Sequence, residues 1–486
     1  MAEWSDKEQQ PYSATFAPLM RQKFIGPWAM HQAVIGMACL SWFMFGLSVA
    51  GVPLVSWNTL VLASLMVFDL WLYHGLSLWQ VVGLRLGLLL RKATGGSRST
   101  VSPITAGDQV AELDIPGPQK KDIQEYIVMN SGSFDGACWL WSASRAEATA
   151  SVRFRSNGSQ LAKFDDKNMM GDEFSKMLHN LADFPEVVRV TLQLRSLLKP
   201  TPCEEYPESD NPVARDLAYV ENDILPYALG HDYILSITLN PTKAEGLGRH
   251  PKAEQVSKLM VERVRDVFDL LSTAGISPGS ARWLTTAQLR GEMKTITDPE
   301  AAGLLDGVGN LADDVPIQTS WSEHHDYMAV GPSFARTYWV DRWPDQRVWS
   351  DWLARVNATS DMQMVFTEVF KPRSEKEARN SLDTKSAGAG GLNMLNRLLA
   401  RPDDKRAELE AQNLERRRLE NSMEGGDILF QGFFTVISQD LPGLDLSCRE
   451  LQSRIKRVAD LHLDHQVDQQ LARWIGALPL GLEGRE

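Results

Sequence analysis

From residue 24 to residue 68 the chain contains no Asp, Glu, Lys or Arg. Soluble folds seldom leave so long a stretch uncharged, so a purely cytosolic protein is not expected. Cysteine is scarce as well. Cys39, Cys138, Cys203 and Cys448 lie far apart and form no CxxC pair, which argues against a disulfide framework and a cysteine-based zinc site. No Gly-Lys pair occurs anywhere, so the G-x-x-x-x-G-K-S/T phosphate loop is missing and a P-loop ATPase is not expected. Met1–Ile25 is mostly polar, and no A-x-A-like site follows a short apolar core, so a secretory signal peptide is not expected there.

What is present fits a folded protein of several units. The 486 residues are 43% hydrophobic and 23% charged, which excludes wholesale disorder and suggests about two to four domains. Mean hydropathy is −0.24, so most of the chain is polar enough for water. Net charge is −12. Residues 1–100 hold seven basic and four acidic residues, so the negative charge resides in the remainder. Non-specific nucleic-acid binding needs a basic surface, and no direct nucleic-acid binding is expected.

The uncharged run predicts a transmembrane hairpin. One span covers about Pro27–Ala50, Gly51, Val52 and Pro53 break it, and a second covers about Leu54–His74. Each is long enough for a bilayer core of ~30 Å at ~1.5 Å per residue. Lys7, Arg21 and Lys23 precede the first span, Arg85, Arg91, Lys92 and Arg98 follow the second, and the loop between has none. Both termini should therefore face the cytoplasm, with Trp28, Trp57 and Trp79 near the span ends. Asp69 is expected at the cytoplasmic interface, a turn from His74; a contact with a partner helix is the alternative. Leu76–Lys92 is apolar with a basic end, and reads either as an amphipathic helix on the inner leaflet or as an extension of the second span.

Five segments follow: an N-terminal cytosolic tail (1–25), the hairpin with its juxtamembrane helix (26–92), a Gly/Ser/Thr/Pro-containing linker (93–118), and two cytosolic α/β domains (119–318 and 319–486). In the first domain, Phe134–Ser144, Ala150–Arg155, Glu186–Leu194 and Asp232–Leu239 read as strands. Asp172–Leu181, Pro212–Leu225, Lys252–Thr273 and Ala281–Met293 read as helices. Lys252–Thr273 carries the clearest stripe, at Val256, Leu259, Met260, Val264, Val267 and Leu271. In the second domain, Asp326–Val340, Met362–Phe370 and Ile428–Ser438 read as strands, while Asp345–Val356, the charged Leu395–Glu420 and Asp445–Leu461 read as helices. The class is α+β, with ferredoxin-like α/β units behind the helical hairpin. No internal repeat of fixed period is apparent.

Candidate chemistry is thin. Gly246–His250 and Ala387–Gly391 are Gly-rich but lack a Lys-Ser/Thr pair. Two His/acid clusters stand out, Glu323-His324-His325-Asp326 and Asp460-x-His462-x-Asp464-His465, and neither has the HExxH spacing of a zinc helix. A membrane-tethered hydrolase using His324/His325 or His462/His465 is the enzymatic alternative; solvated or capping roles are the simpler reading. The G-x-S-x-G match Gly275–Gly279 follows a helix and places Pro278 after Ser277, so no N–H is available there for an oxyanion hole. Arg416-Arg417-Arg418 lies among Glu408, Glu410, Glu415 and Glu420, as on a solvated helix. Trp339, Trp343, Trp349 and Trp352 are expected in the core. No catalytic, cofactor-binding or metal-ligating residue is assigned.

The opening FIGPWAMHQAVIGMACLSW, the second span and GLSLWQVVGLRLGLLLRKATGG resemble the small PrgI-like two-span proteins of conjugative type IV secretion systems. The rest resembles the PrgI-fused proteins of actinobacterial integrative and conjugative elements, whose cytosolic part looks like the non-motor N-terminal portion of the type IV secretion ATPase. Four stretches carry this match: Ala335–Pro344 (ARTYWVDRWP), Met364–Pro372 (MVFTEVFKP), Phe430–Ser438 (FQGFFTVIS) and Ala477–Leu482 (ALPLGL). The resemblance implies an oligomeric, non-catalytic scaffold in the bacterial inner membrane. It would contact the lipid bilayer and dock a separate secretion ATPase or other membrane subunits, without a cofactor. A competing resemblance is to the EccE-like component of type VII secretion.

Overall fold

A computed structural model describes residues 17–18, 23–25, 28–48, 57–73, 76–100, 115, 122–155, 169, 173–174, 176–181, 183–200, 212–213, 227–248, 251–273, 276, 278–298, 301, 305, 309–312, 315–343, 352–357, 362–373, 427–458, 461–465 and 467–484. The expected helix Leu395–Glu420, most of Pro212–Leu225 and Trp349 lie outside them. Two compact units emerge.

The first unit holds three helices: α1 (Met30–Ser48), α2 (Trp57–Leu70) and α3 (Leu78–Ala93). The first two fall within the expected spans. Even so, no helix among the described residues is long and apolar enough to cross a membrane. A Gln32 side-chain N–H on α1 donates to the Asp69 carbonyl on α2 at 2.7 Å. Asp69 is buried in the last turn of α2. Helix α3 is not a continuation of α2. The Ser77 hydroxyl accepts from the Gln80 N–H and the Gln80 side chain accepts from the Ser77 N–H, a capping box that starts a new helix.

The second unit is built on one sheet. In chain order its strands and helices are β1 (Arg98–Thr100), β2 (Ile123–Ile127), β3 (Cys138–Ser142), β4 (Glu147–Phe154), β5 (Val187–Pro200), β6 (Tyr227–Leu239), α4 (Ala253–Thr273), β7 (Arg282–Trp283) and α5 (Thr286–Thr297). There follow β8 (Ser320–Glu323), β9 (Met328–Val330), β10 (Ser333–Arg342), α6 (Trp352–Asn357), β11 (Gln363–Arg373), β12 (Asp427–Ser438), α7 (Leu441–Val458), β13 (His462–His465) and α8 (Gln470–Ile475). The strand order is β1-β8-β9-β10-β12-β11-β5-β6-β4-β3-β2, with β7 beside β4 and β13 beside β10.

That order contains the same arrangement twice. An antiparallel hairpin (β2-β3 or β8-β9) leads into a strand (β4 or β10). Helical residues follow, 173–174 and 176–181 in the first copy and α6 in the second. Next come two strands (β5-β6 or β11-β12), a long helix (α4 or α7) and a short strand (β7 or β13). In each copy the last strand lies beside the first, the third lies on the first strand's other side, and the second is outermost. The two outermost strands then pair antiparallel with each other, Gln193 opposite Thr367, and fuse the copies into one sheet. The two copies therefore share one continuous sheet. A sequence period is not visible because the copies carry unrelated residues and different insertions, 201–226 after β5 and 374–426 after β11.

Alternation along the strands sorts side chains to two faces. Val190 on β5, Leu235 and Ile237 on β6, and Ala148, Ala150 and Val152 on β4 pack beneath α4 and beneath Met177, Leu178 and Leu181. All six stripe residues expected on α4 are buried. Met364 and Phe366 on β11 and Phe434 and Val436 on β12 pack beneath α6 and α7. The opposite face is covered by α5, α8 and the segment after α8. Helix α5 begins later than the expected Ala281, because Arg282 and Trp283 join the sheet and a Thr285–Gln288 capping box sets the start. Trp339 is fully buried, and Trp343 and Trp352 pack against the α6–α7 core.

Candidate functional site

Three features could carry function: the histidine clusters, a polar seam across the sheet, and the surface of the helical unit.

Strands β9 and β13 both pair with β10, so the sheet gathers the two histidine clusters, far apart in sequence, at one edge. His325 Nδ1 lies 2.8 Å from Asp468 Oδ1, and the Asp468 N–H donates to the His325 carbonyl at 2.7 Å. Asp468 has a φ of 61°, in the left-handed region that a non-glycine residue seldom adopts without a local reason. His465 Nε2 donates to the Asp326 carbonyl at 3.1 Å. Arg336 donates to the carbonyl and carboxylate of Asp326 and to Asp445. His324 stacks on Tyr327 and lies 3.1 Å from the Ser322 hydroxyl, while His462 is 3.7 Å from Asp341.

Each histidine therefore has a different neighbour. Among the described residues no group of three or more His, Cys, Asp or Glu is placed to hold a metal ion. Burial pushes the nearby Cys448 thiol up, although Tyr338 and Arg336 pull the other way. Burial also raises the Cys138 thiol, to about 12. Neither is a ready nucleophile at neutral pH. His465 is held below the ordinary histidine range by burial, which the Asp326 carbonyl only partly offsets. The cluster acts as a clasp: it ties the β8–β9 turn to the β13–α8 corner.

The polar seam runs down the face opposite α4 and α7. The chain from Gly476 to Gly484 lies across it, held mainly through its carbonyls. The Gln193 amide donates to Gly476 and Leu478 at 3.1 and 3.0 Å, the Ser151 hydroxyl to Pro479 at 2.8 Å, and Arg189 Nε to Gly481. Gly481 has a φ of 65°, and a Cβ there would lie 2.6 Å from Thr238 Oγ1. Burial alone would raise the Glu483 carboxyl, but Lys371 and then Arg189 hold it below the usual range. Beside this strap, Arg195 is completely buried and donates to the carboxylate and carbonyl of Glu292 and to Thr295 on α5; Arg153 reaches the same carboxylate at 2.5 Å. Sequence reasoning missed the residues of this seam. Its only signal was polar residues alternating with apolar ones in β4, β5 and β6. The four stretches that carried the family resemblance converge here: described parts of them are β10, β11 and β12, adjacent strands, and the strap itself.

The helical unit presents the reverse pattern. Ile35, Met37, Leu40, Trp42, Met44 and Phe45 on α1 are exposed, as are Trp57, Val61, Leu65, Val67 and Phe68 on α2. Trp71 follows, then Trp79, Val82, Leu86, Leu89 and Leu90 on α3. Trp57 is 79% exposed. Monomeric proteins in water rarely leave contiguous apolar surface of this extent uncovered. The arrangement offers no reaction chemistry; it offers a surface suited to an apolar environment. Neither comparison with models of known protein families nor comparison with curated proteins finds a match for this chain.

Proposed function

We propose that the protein is a non-catalytic scaffold of a bacterial type IV, conjugative secretion apparatus, anchored in the inner membrane by α1 and α2 with both termini in the cytoplasm. The observation that carries this reading is the exposed apolar surface of α1–α3, whose exposed residues on α1 and α2 all lie within the charge-free run 24–68. The two β-α-β-β-α-β copies are read as fused ferredoxin-like units, forming a cytosolic body that docks a separate ATPase or other machine subunits. The clasp and the seam support a structural role, since the hydrogen bonds they make run to one another and to backbone carbonyls.

The test is capture of the C-terminally tagged full chain from gently solubilised membranes, with co-purifying chains identified by mass spectrometry. The proposal expects a P-loop ATPase together with other membrane subunits. A chain that is always monomeric and captures neither would overturn it. Alanine at His324, His325, His462 and His465 is expected to leave secretion intact; loss of an activity with assembly preserved would favour a hydrolase.

A further inference from the structure

The helical unit contains a second kind of apolar surface, distinct from the hairpin. Helix α3 starts afresh at its capping box, after residues 72–73 and 76–77, which pair antiparallel. Its sixteen residues make a rod of ~24 Å. Leu88 is buried, and Val81 and Leu84, on the same side, are partly buried. The opposite side is apolar but exposed: Trp79, Val82, Leu86, Leu89 and Leu90, spaced by three, four, three and one, form one stripe. The basic residues sit between these two faces, Arg85 and Lys92 on one flank and Arg91 on the other. No acidic residue occurs in α3. The stripe is continuous with the end of α2, where the Phe68 and Trp79 rings are 5.4 Å apart.

An apolar stripe bordered by cations on both sides matches the boundary between acyl chains and anionic headgroups. We propose that α3 is an anionic-phospholipid site. It lies in the plane of the cytoplasmic leaflet with Trp79, Val82, Leu86, Leu89 and Leu90 in the acyl boundary and Arg85, Arg91 and Lys92 among the phosphates. The proposal rests on the reading that α1 and α2 anchor the chain. A protein helix covering the same stripe would satisfy its apolar residues, but the absence of acidic residues and the double basic border favour lipid phosphate.

The test uses the full chain with Cys39 and Cys203 changed to serine, labelled with an environment-sensitive fluorophore at Leu86→Cys or, as a control on α1, at Trp42→Cys. Each is reconstituted in vesicles of phosphatidylcholine, with and without phosphatidylglycerol. The expected result at position 86 is quenching by brominated acyl chains and protection from iodide in anionic vesicles. Changing Arg85, Arg91 and Lys92 to glutamine should weaken that seating roughly fivefold per charge removed. Iodide access at 86 in both vesicles, with acyl quenching retained at 42, overturns the α3 site and leaves the anchor standing. Protection at 86 from both quenchers means a protein cover and also overturns it. Acyl quenching at 86 that is indifferent to phosphatidylglycerol and to the glutamine changes removes the anionic specificity. Loss of acyl quenching at 42 as well overturns the anchor itself.

Discussion

The two units are turned inside out with respect to each other. The sheet unit buries its charge: Arg189, Arg195 and Glu292 are all almost fully enclosed, and each makes charged hydrogen bonds with neighbouring groups. The helical unit exposes its apolar side chains, Trp42, Trp57, Trp71 and Leu90 among them. Among the described residues outside it, the large exposed apolar residues are scattered ones, Ile127, Met129, Met169, Val213 and Leu446. Buried charge is tolerated where neighbouring strands and helices supply oppositely charged groups and carbonyls. Exposed tryptophan and leucine in one continuous stretch make sense where the surroundings are themselves apolar.

The contrast predicts opposite responses to substitution. The largest effect belongs to Glu292→Ala, which leaves Arg195 charged and enclosed without its carboxylate. A loss of about 3–5 kcal/mol is expected in chemical denaturation of the sheet unit's transition. Gly481→Ala should follow at about 2–3 kcal/mol, since the new methyl meets Thr238 and the left-handed backbone disfavours it.

The effect of Glu368 is set by pH. This carboxyl lies on the helix-covered side of β11, and burial pushes it up to about 7 from an ordinary 4.5. The folded chain then holds a proton that the unfolded chain has released. Stability is lost as pH rises from about 4.5 to about 7, and Glu368→Gln should recover roughly 2 kcal/mol at pH 8. His465 acts on the other side. Its folded value is lowered, so the unfolded chain binds the extra proton, and stability falls as pH drops below the ordinary value of 6.5. Denaturation midpoints across pH 4 to 8 in wild type, Glu368→Gln and His465→Gln separate the two. The smallest effect on folding is expected in the helical unit. Leu90→Gln or Trp57→Gln should change stability by less than ~0.5 kcal/mol while weakening flotation with liposomes.

Much of the fold was legible where one rule dominated. The α4 stripe announced a buried helical face, and the uncharged run located α1 and α2. The duplication was not legible, because topology is repeated by hydrogen-bond pairing rather than by residue identity, and unequal insertions hide the period. Strand β7 was read as helix, since two residues carry no alternation and the helix-forming run behind them extends the signal backwards. The clasp was invisible because His325 meets Asp468 only after β9 and β13 have both paired with β10. The strap was seen only as ALPLGL, an apolar ending; its carbonyl-by-carbonyl grip by Arg189, Gln193 and Ser151 depends on side chains from two other strands.

The claim that matters most is that the helical unit lives in a bilayer. Alkaline carbonate extraction of membranes carrying the full-length chain addresses it directly. The account predicts that the chain stays in the membrane pellet after peripheral proteins have been stripped away. Release into the supernatant as a folded protein would contradict it.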